Sequence, residues 1–432
     1  MSTSLPGPRG LGLVRALRRF SRDRLQFQVW LRERYGDRVS ARLGPVRFVF
    51  LYDPDDYEAL YTGPGRNAHR HRVVRMHSEA MGEGLLTSGG EHWRRHRKLI
   101  APSFTPTASQ RYLDGFVRQA EEALQPGEAE LHGRMLDIAM RVAVESLFGL
   151  QLGDRFAVVE EALRTGQDHF VAHQTSPKAL LPKWVPTASR RRYRGAIDTL
   201  DRVVYELIAE RRGKPAGDDL LSRLLAARDE DGRAFDDRDV RDEVITLFVA
   251  GHETSASTLA FVGALLAQHP EVQERLHASL AELDAEALRT NEVLQAVLKE
   301  SLRLYGPAWM SGREPEEDVT LRGMALEAGT QVLLPLWALH RDPRRFDDPH
   351  AYRPDRWLDG SLDGLHRYAF VPFGGGKRVC VGNHFAMLEL AAVTAVLAKH
   401  YRIEPLWDGP IRAQPHVTLR PAMPLPVRLV RR

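Results

Sequence analysis

The chain has 432 residues, 43% of them hydrophobic and 27% charged, the balance of a folded globular protein and not of a disordered one. Its formal charge of +4 is the small difference between 61 Lys and Arg and 57 Asp and Glu. The basic runs are short (Arg70 to Arg72, Arg94 to Lys98, Arg190 to Arg192), so solvated helix faces are expected and a nucleic-acid partner is not. A single cysteine, Cys380, excludes an intramolecular disulfide and a multi-cysteine zinc site. Neither a secretory leader nor a run of about 18 apolar residues is present, which predicts a soluble cytoplasmic protein, with a transient peripheral contact at the inner membrane left open. Length alone suggests two or three domains, but one extended core around a large cofactor accommodates the same length, and a single domain over 1–432 is the expectation, loose over residues 1–10.

In chain order, an amphipathic helix is predicted over about Leu11 to Tyr35. Val39 to Leu43 and Val46 to Leu51 are β-prone runs around Gly44-Pro45 and read as a hairpin, the heart of a β-containing part over about 36–62 that packs on an α-rich remainder. Residues 63–90, rich in Gly, His and Arg, read as a long loop. From Glu91 to Gln268 the pattern is mostly helical. Pro177 to Pro186 interrupts it, either as a plain proline-rich loop or as a lid between two helices. The longest helix is predicted over about Asp236 to Gln268, with acidic residues at its start and Pro270 just past its end. At 1.5 Å per residue it is roughly 50 Å long, enough to cross the molecule. His252 and Glu253 break its apolar run, so it is not a membrane span. Short β-like runs separated by Gly323 and Gly329 follow over 317–338, an aperiodic stretch over 341–372, a last helix from about Cys380 to His400, and a β-like end. The fold class is mainly α with minor β.

A lone cysteine flanked by glycine and arginine is a reactive thiol, a metal ligand or a buried bystander. Its surroundings, Phe373-Gly374-Gly375-Gly376-Lys377-Arg378-Val379-Cys380-Val381-Gly382, resemble the heme-binding loop of cytochromes P450, Phe-x-x-Gly-x-Arg-x-Cys-x-Gly, at all five specified positions. The chemistry of the loop agrees. Thiolate binds iron, so the cysteine pKa must fall; a helix N-terminus and Arg378 both favour the anion; and glycines let the chain turn close to a flat macrocycle. The resemblance implies Cys380 as the axial ligand of a heme b iron, with Phe373, Arg378 and Gly382 lining the cofactor.

Three further motifs stand in the family order. Ala250-Gly251-His252-Glu253-Thr254 is similar to the oxygen-activating segment, in which Thr254 and Glu253 handle protons; His252 reads as a structural histidine. Glu300-Ser301-Leu302-Arg303 places Glu300 and Arg303 on one helix face. An exposed pair of this kind does little, but in the family the pair is buried and is completed by an arginine, here Arg356 in Pro349 to Trp357, where Tyr352 replaces the commoner phenylalanine. Trp93 and Arg97 share a helix face one turn apart and, with Arg313 and Arg378, resemble the family's anchors for the heme propionates, a carboxylate being well matched by a guanidinium fork. The resemblance spans about residues 10–430 and implies the P450 fold: an α-rich triangular prism with small β-sheets and buried heme.

The activity implied is that of a monooxygenase acting on a hydrophobic small molecule, as a monomer supplied with electrons from NAD(P)H by a separate ferredoxin or flavodoxin and its reductase. Arg94, Arg95, Lys98 and Lys377 are candidates for docking such an acidic carrier. A peroxygenase is disfavoured by the intact Glu253-Thr254 pair, and a heme carrier or gas sensor by Thr254. The stretches Val249 to Thr254, Arg303 to Trp309 and His340 to Pro343 resemble the fatty-acid-hydroxylase branch. Pro307-Ala308-Trp309 and Val417 to Pro421 resemble soluble bacterial carotenoid β-ring hydroxylases, with Gly306 where a proline is usual. Carotenoid ring hydroxylation is thus the first expectation for substrate, and fatty-acid or terpenoid hydroxylation the alternative.

Overall fold

The computed structural model describes residues 5–63, 69–70, 78–149, 155–175, 187–212 and 217–432. The 177–186 interruption lies outside the described residues, as does much of 63–90, where the strand His69–Arg70 and the short helix Ser78–Met81 stand.

The amphipathic N-terminal segment forms two helices, Leu11–Arg22 and Arg24–Tyr35, in place of the single predicted one. The break is chemical. Asp23 adopts an extended backbone (φ −151°) and its Oδ1 accepts the N–H groups of Leu25 and Gln26, both at 2.9 Å, so the side chain caps a new helix instead of continuing the old one. Ahead of these helices, the Pro6 carbonyl accepts the Ser40 N–H at 2.8 Å. The hairpin forms as predicted: Arg38–Leu43 pairs antiparallel with Val46–Leu51, with Leu43 opposite Val46 and Gly44 at φ 58° in the turn. Val46–Leu51 then pairs parallel with Gln331–Leu334, which pairs antiparallel with Ser311–Glu314, which ends the five-stranded sheet against His69–Arg70. The sheet thereby fixes the strand that carries Arg313.

The long helix runs from Asp237 to Gln268, 32 residues or about 48 Å. A capping box starts it, Asp236 Oδ1 accepting Asp239 N–H at 2.7 Å while the Asp239 carboxylate faces back to the Asp236 N–H. Its second half is buried on every side from Ser255 to Ala267, as an element through the middle of a core must be. Helices Leu131–Phe148 and Asn383–His400 pack along it. One strand was not legible in advance: Gly127–Glu130, whose sequence Gly-Glu-Ala-Glu has little β-propensity, pairs with the C-terminal strand Pro426–Arg431, which pairs in turn with Tyr401–Pro405. That partner lies about 300 residues away, and it decides the conformation. Among the described residues no helix is long and apolar enough to cross a membrane.

Candidate active site

The loop around Cys380 is shaped by close approach. Gly374 and Gly376 have φ of 73° and 66°, where a side chain is strained. A Cβ on Gly375 would lie 2.6 Å from the Tyr61 ring, and one on Gly376 2.4 Å from the Tyr61 carbonyl oxygen. The loop therefore lies flat on the helix Pro54–Thr62. After a short 3-10 turn, Gly376–Arg378, the Cys380 N–H donates to the Phe373 carbonyl at 3.0 Å. The final helix begins at Asn383 with Gly382 as its N-cap, so Cys380 precedes the helix and does not open it. Gly382 has φ −91°, and a Cβ there would meet only Phe104 at an ordinary 3.8 Å; no described protein atom demands a glycine. The Cys380 thiol is exposed, although cysteine is among the most buried residue types.

Arginines converge beside that thiol. On the helix Gly90–Ile100, burial lowers the Arg97 pKa and the nearby Cys380 opposes it. The Arg378 guanidinium lies 4.2 Å above the Trp93 ring, and its Nη1 donates to the Ser88 carbonyl at 3.0 Å. Arg313 is buried, 5.1 Å over the Tyr61 ring, and donates to the Gly312 carbonyl at 2.8 Å. Burial, followed by the charge of Arg313, pushes the Arg378 pKa down to about 10. Among the described residues no ion pair joins Arg97 or Arg313 to a carboxylate. Arg97 and buried Arg313, beside Arg378 and an accessible thiol, suit an anionic group. The two propionates and thiolate-bound iron of a heme match that donor set.

The long helix contributes a second cluster. Thr254 Oγ1 donates to the Ala250 carbonyl at 2.6 Å, and Thr258 Oγ1 to the Thr254 carbonyl at 2.7 Å; back-bonding of this kind bends a helix. A Cβ on Gly251 would meet nothing within 4 Å. His252 is buried with its Nε2 3.2 Å from the Leu136 carbonyl, the structural role expected of it. Glu253 is buried too, and its Oε1 accepts from both Arg420 Nε and Thr418 Oγ1. Burial acts to raise the Glu253 carboxyl, but Arg420, Thr418 and His252 together hold it below its ordinary value. Ser255 donates to Glu389 at 2.6 Å, tying the long helix to the helix that follows Cys380. Burial pushes the Glu389 carboxyl up to about 8, against the opposing Ser255 hydrogen bond.

The third cluster holds the site together from behind. Arg303 forks onto Glu300 at 2.8 and 2.9 Å, Arg356 Nε meets Glu300 Oε1 at 3.0 Å, and the Arg353 N–H and Trp357 Nε1 donate to the same carboxylate at 3.0 and 2.9 Å. All three charged side chains are almost wholly buried. Spare guanidinium donors satisfy the carbonyls of His340, Pro349 and Ala351 from Arg303 and of Asp347 from Arg356, which gives the aperiodic 341–372 stretch its shape without a ladder of its own. The Tyr352 ring packs 4.9 Å from His269. His340 in turn accepts the Val371 N–H on its Nε2 at 3.1 Å, and the Val371 carbonyl accepts the Gly374 N–H at 3.0 Å. One chain of contacts thus runs from Glu300 to the cysteine loop.

Comparison with known proteins agrees with this geometry. The sequence profile of the family "Cytochrome P450" matches residues 5–425. The chain belongs to the cytochrome P450 family. It is 36% identical over 390 residues to cyclooctat-9-en-7-ol 5-monooxygenase of Streptomyces melanosporofaciens, covering 86% of this chain and 83% of that one. It is 30% identical to pentalenene oxygenase of Streptomyces avermitilis, covering 92% and 91%. Its fold superposes on the crystal structure of the cytochrome P450DA heme domain with a TM-score of 0.87 at 23% identity, covering 100% of this chain and 98% of that one.

The P450 is accordingly a monooxygenase that carries heme b and receives electrons from NAD(P)H through redox partners; P450s of the bacterial type generally use a ferredoxin and its reductase. The basic residues expected to dock such a carrier are largely balanced internally: Arg94 pairs with Glu91, Arg95 with Asp229 at 2.7 Å, and Lys98 with Glu230. Sequence reasoning missed Thr418 and Arg420 as the partners of Glu253. The signal was present, since both lie in the Val417 to Pro421 run, but nothing local says that this run folds back against the long helix. Glu389 was also missed, the one acid in a helical stretch buried from Glu389 to Ala398.

Proposed function

We propose that this P450 hydroxylates a cyclic terpenoid, a class that includes the ring of a carotenoid but is not confined to it. The observation that carries the proposal is the pair of relatives named for cyclooctat-9-en-7-ol and pentalenene, aligned over 83–91% of their own lengths.

Within this reading Cys380 Sγ holds the iron, and Arg97, Arg313, Arg378 and Trp93 hold the propionate edge, with Phe373 and Gly382 framing the thiolate. Bound there, heme supplies the iron centre at which dioxygen is activated and one of its atoms is inserted into a C–H bond. Thr254 presents a hydroxyl oxygen on the long helix, its proton donated to the Ala250 carbonyl. A proton relay through Glu253 requires its carboxylate to leave Arg420 and Thr418, so Glu253 acts as a held anion that is released, not as a stored proton. Residues 1–432 act as one domain and as a monomer. The helix Leu11–Arg22 exposes Leu11, Val14 and Leu17 beside Arg15 and Arg18, which suits a peripheral contact with an anionic membrane surface.

Purified ferric enzyme is titrated with cyclic terpene hydrocarbons, a β-ring carotenoid and long-chain fatty acids while the low-spin heme spectrum is followed, and hits are turned over with a surrogate ferredoxin and reductase. Spectral shifts and hydroxylated products are expected from the terpenoids. A response to fatty acids alone sinks the proposal.

A further inference from the structure

Away from the thiolate loop, two histidines one helical turn apart meet an aspartate from another element. His92 and His96 lie on the helix Gly90–Ile100, with ring centroids 3.9 Å apart, as side chains at i and i+4 do. Asp239, in the first turn of the long helix, brings Oδ1 to 3.4 Å from His96 Nε2. One nitrogen or oxygen from each of the three lies within 4.8 Å of the others.

The hydrogen bonds around the cluster leave lone pairs facing inward. His96 has a side chain with no exposure and places Nδ1 2.7 Å from Glu243 Oε1. Burial raises the Glu243 carboxyl and His96 opposes this; the Leu85 N–H binds its other oxygen at 3.1 Å. A proton on His96 Nδ1 satisfies Glu243, and Nε2, buried and without a hydrogen-bond partner, is left with its lone pair aimed at the carboxylate of Asp239. Two acceptors face each other there, a contact that either a bound cation or a second proton on the imidazole relieves. His92 is arranged in the complementary way. Its Nε2 is 3.0 Å from the Glu83 carbonyl, which accepts only, so that nitrogen carries the proton and Nδ1 is the free ligand. The second oxygen of Asp239 is engaged by Arg95 at 3.5 Å and by the Asp236 N–H, leaving Oδ1 for the cluster. Ligating histidines commonly have their far nitrogen bound to a carboxylate or a backbone carbonyl, and both arrangements occur here.

We propose that His92, His96 and Asp239 form a binding site for a divalent first-row transition metal of the zinc class. Imidazole and carboxylate ligands with a fourth position left to water suit that ion. Tetrahedral ligand atoms at about 2.1 Å from zinc are about 3.4 Å apart; His96 Nε2 and Asp239 Oδ1 are already 3.4 Å apart, and no pair is separated by more than 4.8 Å, so closure is at most about 1.4 Å. The ion ties the helix carrying Trp93 and Arg97 to the start of the long helix that carries Thr254, outside the reacting centre.

The test uses chelator-treated, heme-loaded enzyme titrated with Zn2+ in a calorimeter, with His92→Ala and Asp239→Asn as variants and His269→Ala as a control outside the cluster. Each variant is used only if its heme spectrum matches the parent. The expected result is one saturable Zn2+ per chain, weakened at least about tenfold in both cluster variants and unchanged in His269→Ala. Affinity is also expected to fall with acidity, because the proton competes for His96 Nε2, and the parent, not His92→Ala, melts at a higher temperature with Zn2+. Absence of saturable binding, or equal binding by the parent and either cluster variant, overturns the proposal.

Discussion

Replacing Arg420 by methionine tests what holds Glu253. The guanidinium is removed while most of the side-chain volume is kept, and a carboxylate that is only 5% exposed loses its cation. Breaking a buried ion pair from one side costs about 3–5 kcal/mol. Arg420 is 23% exposed, so water screens the pair and the lower end, about 3 kcal/mol, is expected near pH 8. The pH dependence makes the test sharp. In the parent the Glu253 pKa lies below its ordinary value, so the pair's contribution is full above that value and is lost as pH falls through the folded pKa. In Arg420→Met burial is the largest remaining influence, the folded pKa rises above the ordinary value, and stability is lost as pH rises. The gap between the two proteins therefore opens with pH. A gap of about 3 kcal/mol corresponds to a separation of about two pKa units between parent and variant. Urea unfolding of the heme-loaded proteins at pH 5 and pH 8, followed by far-ultraviolet circular dichroism, measures it. Glu253→Gln in the Arg420→Met background removes the buried charge and is expected to recover part of the loss at pH 8. A penalty that is the same at both pH values, or a double variant no more stable than Arg420→Met, refutes the reasoning.

Cys380→Ser is expected to abolish the absorption band of the reduced, carbon monoxide-bound protein at the wavelength that names the family; a band that persists would remove Cys380 as ligand. Glu300→Gln removes the carboxylate that pairs with both buried Arg303 and Arg356, and a loss of about 3–5 kcal/mol is expected in urea unfolding together with a lower heme content per chain; a midpoint within error of the parent would mean the network is dispensable. Glu389, raised to about 8 by burial, contributes stability fully present below its ordinary carboxyl value and lost as pH climbs toward 8. Glu389→Gln is therefore expected to gain on the parent by about 2–3 kcal/mol between pH 6 and pH 8.5, and a constant difference between the two across that range would show that Glu389 is ionised throughout.

The elements visible in the sequence were those whose reason is local. Asp236 and Asp239 announce the long helix, Gly44-Pro45 the hairpin turn, and Gly374 to Gly376 a tight turn. Glu300 and Arg303 are neighbours on a helix face wherever that helix goes, but their burial depends on the aperiodic stretch that Arg356 brings over them. The elements that stayed hidden are closed from far away. Gly127–Glu130 is a strand because Pro426–Arg431 lies beside it, and the His92, His96 and Asp239 cluster needs two helices whose crossing no local pattern specifies. Asp23 was misread in the opposite sense. It is a local signal, a helix-capping residue inside an amphipathic run, and the periodicity of the run concealed it.

The adjacent pair on the long helix shows how far a motif carries. Sequence places Glu253 and Thr254 side by side, and family resemblance gives them one task. Successive residues on a helix point about 100° apart, so the two side chains cannot share surroundings. Thr254 turns its hydroxyl back to the Ala250 carbonyl, while Glu253 faces the C-terminal segment and its Arg420 and Thr418. Their cooperation then depends on the strength of a contact 167 residues away in sequence. Weakening that contact should alter Glu253 without displacing Thr254, which makes Arg420 the position from which the two roles are separated. An Arg420→Met enzyme that keeps its ferric heme spectrum but spends more NAD(P)H per product would place the held anion in the proton path; unchanged coupling would leave Glu253 a structural partner of the C-terminal segment.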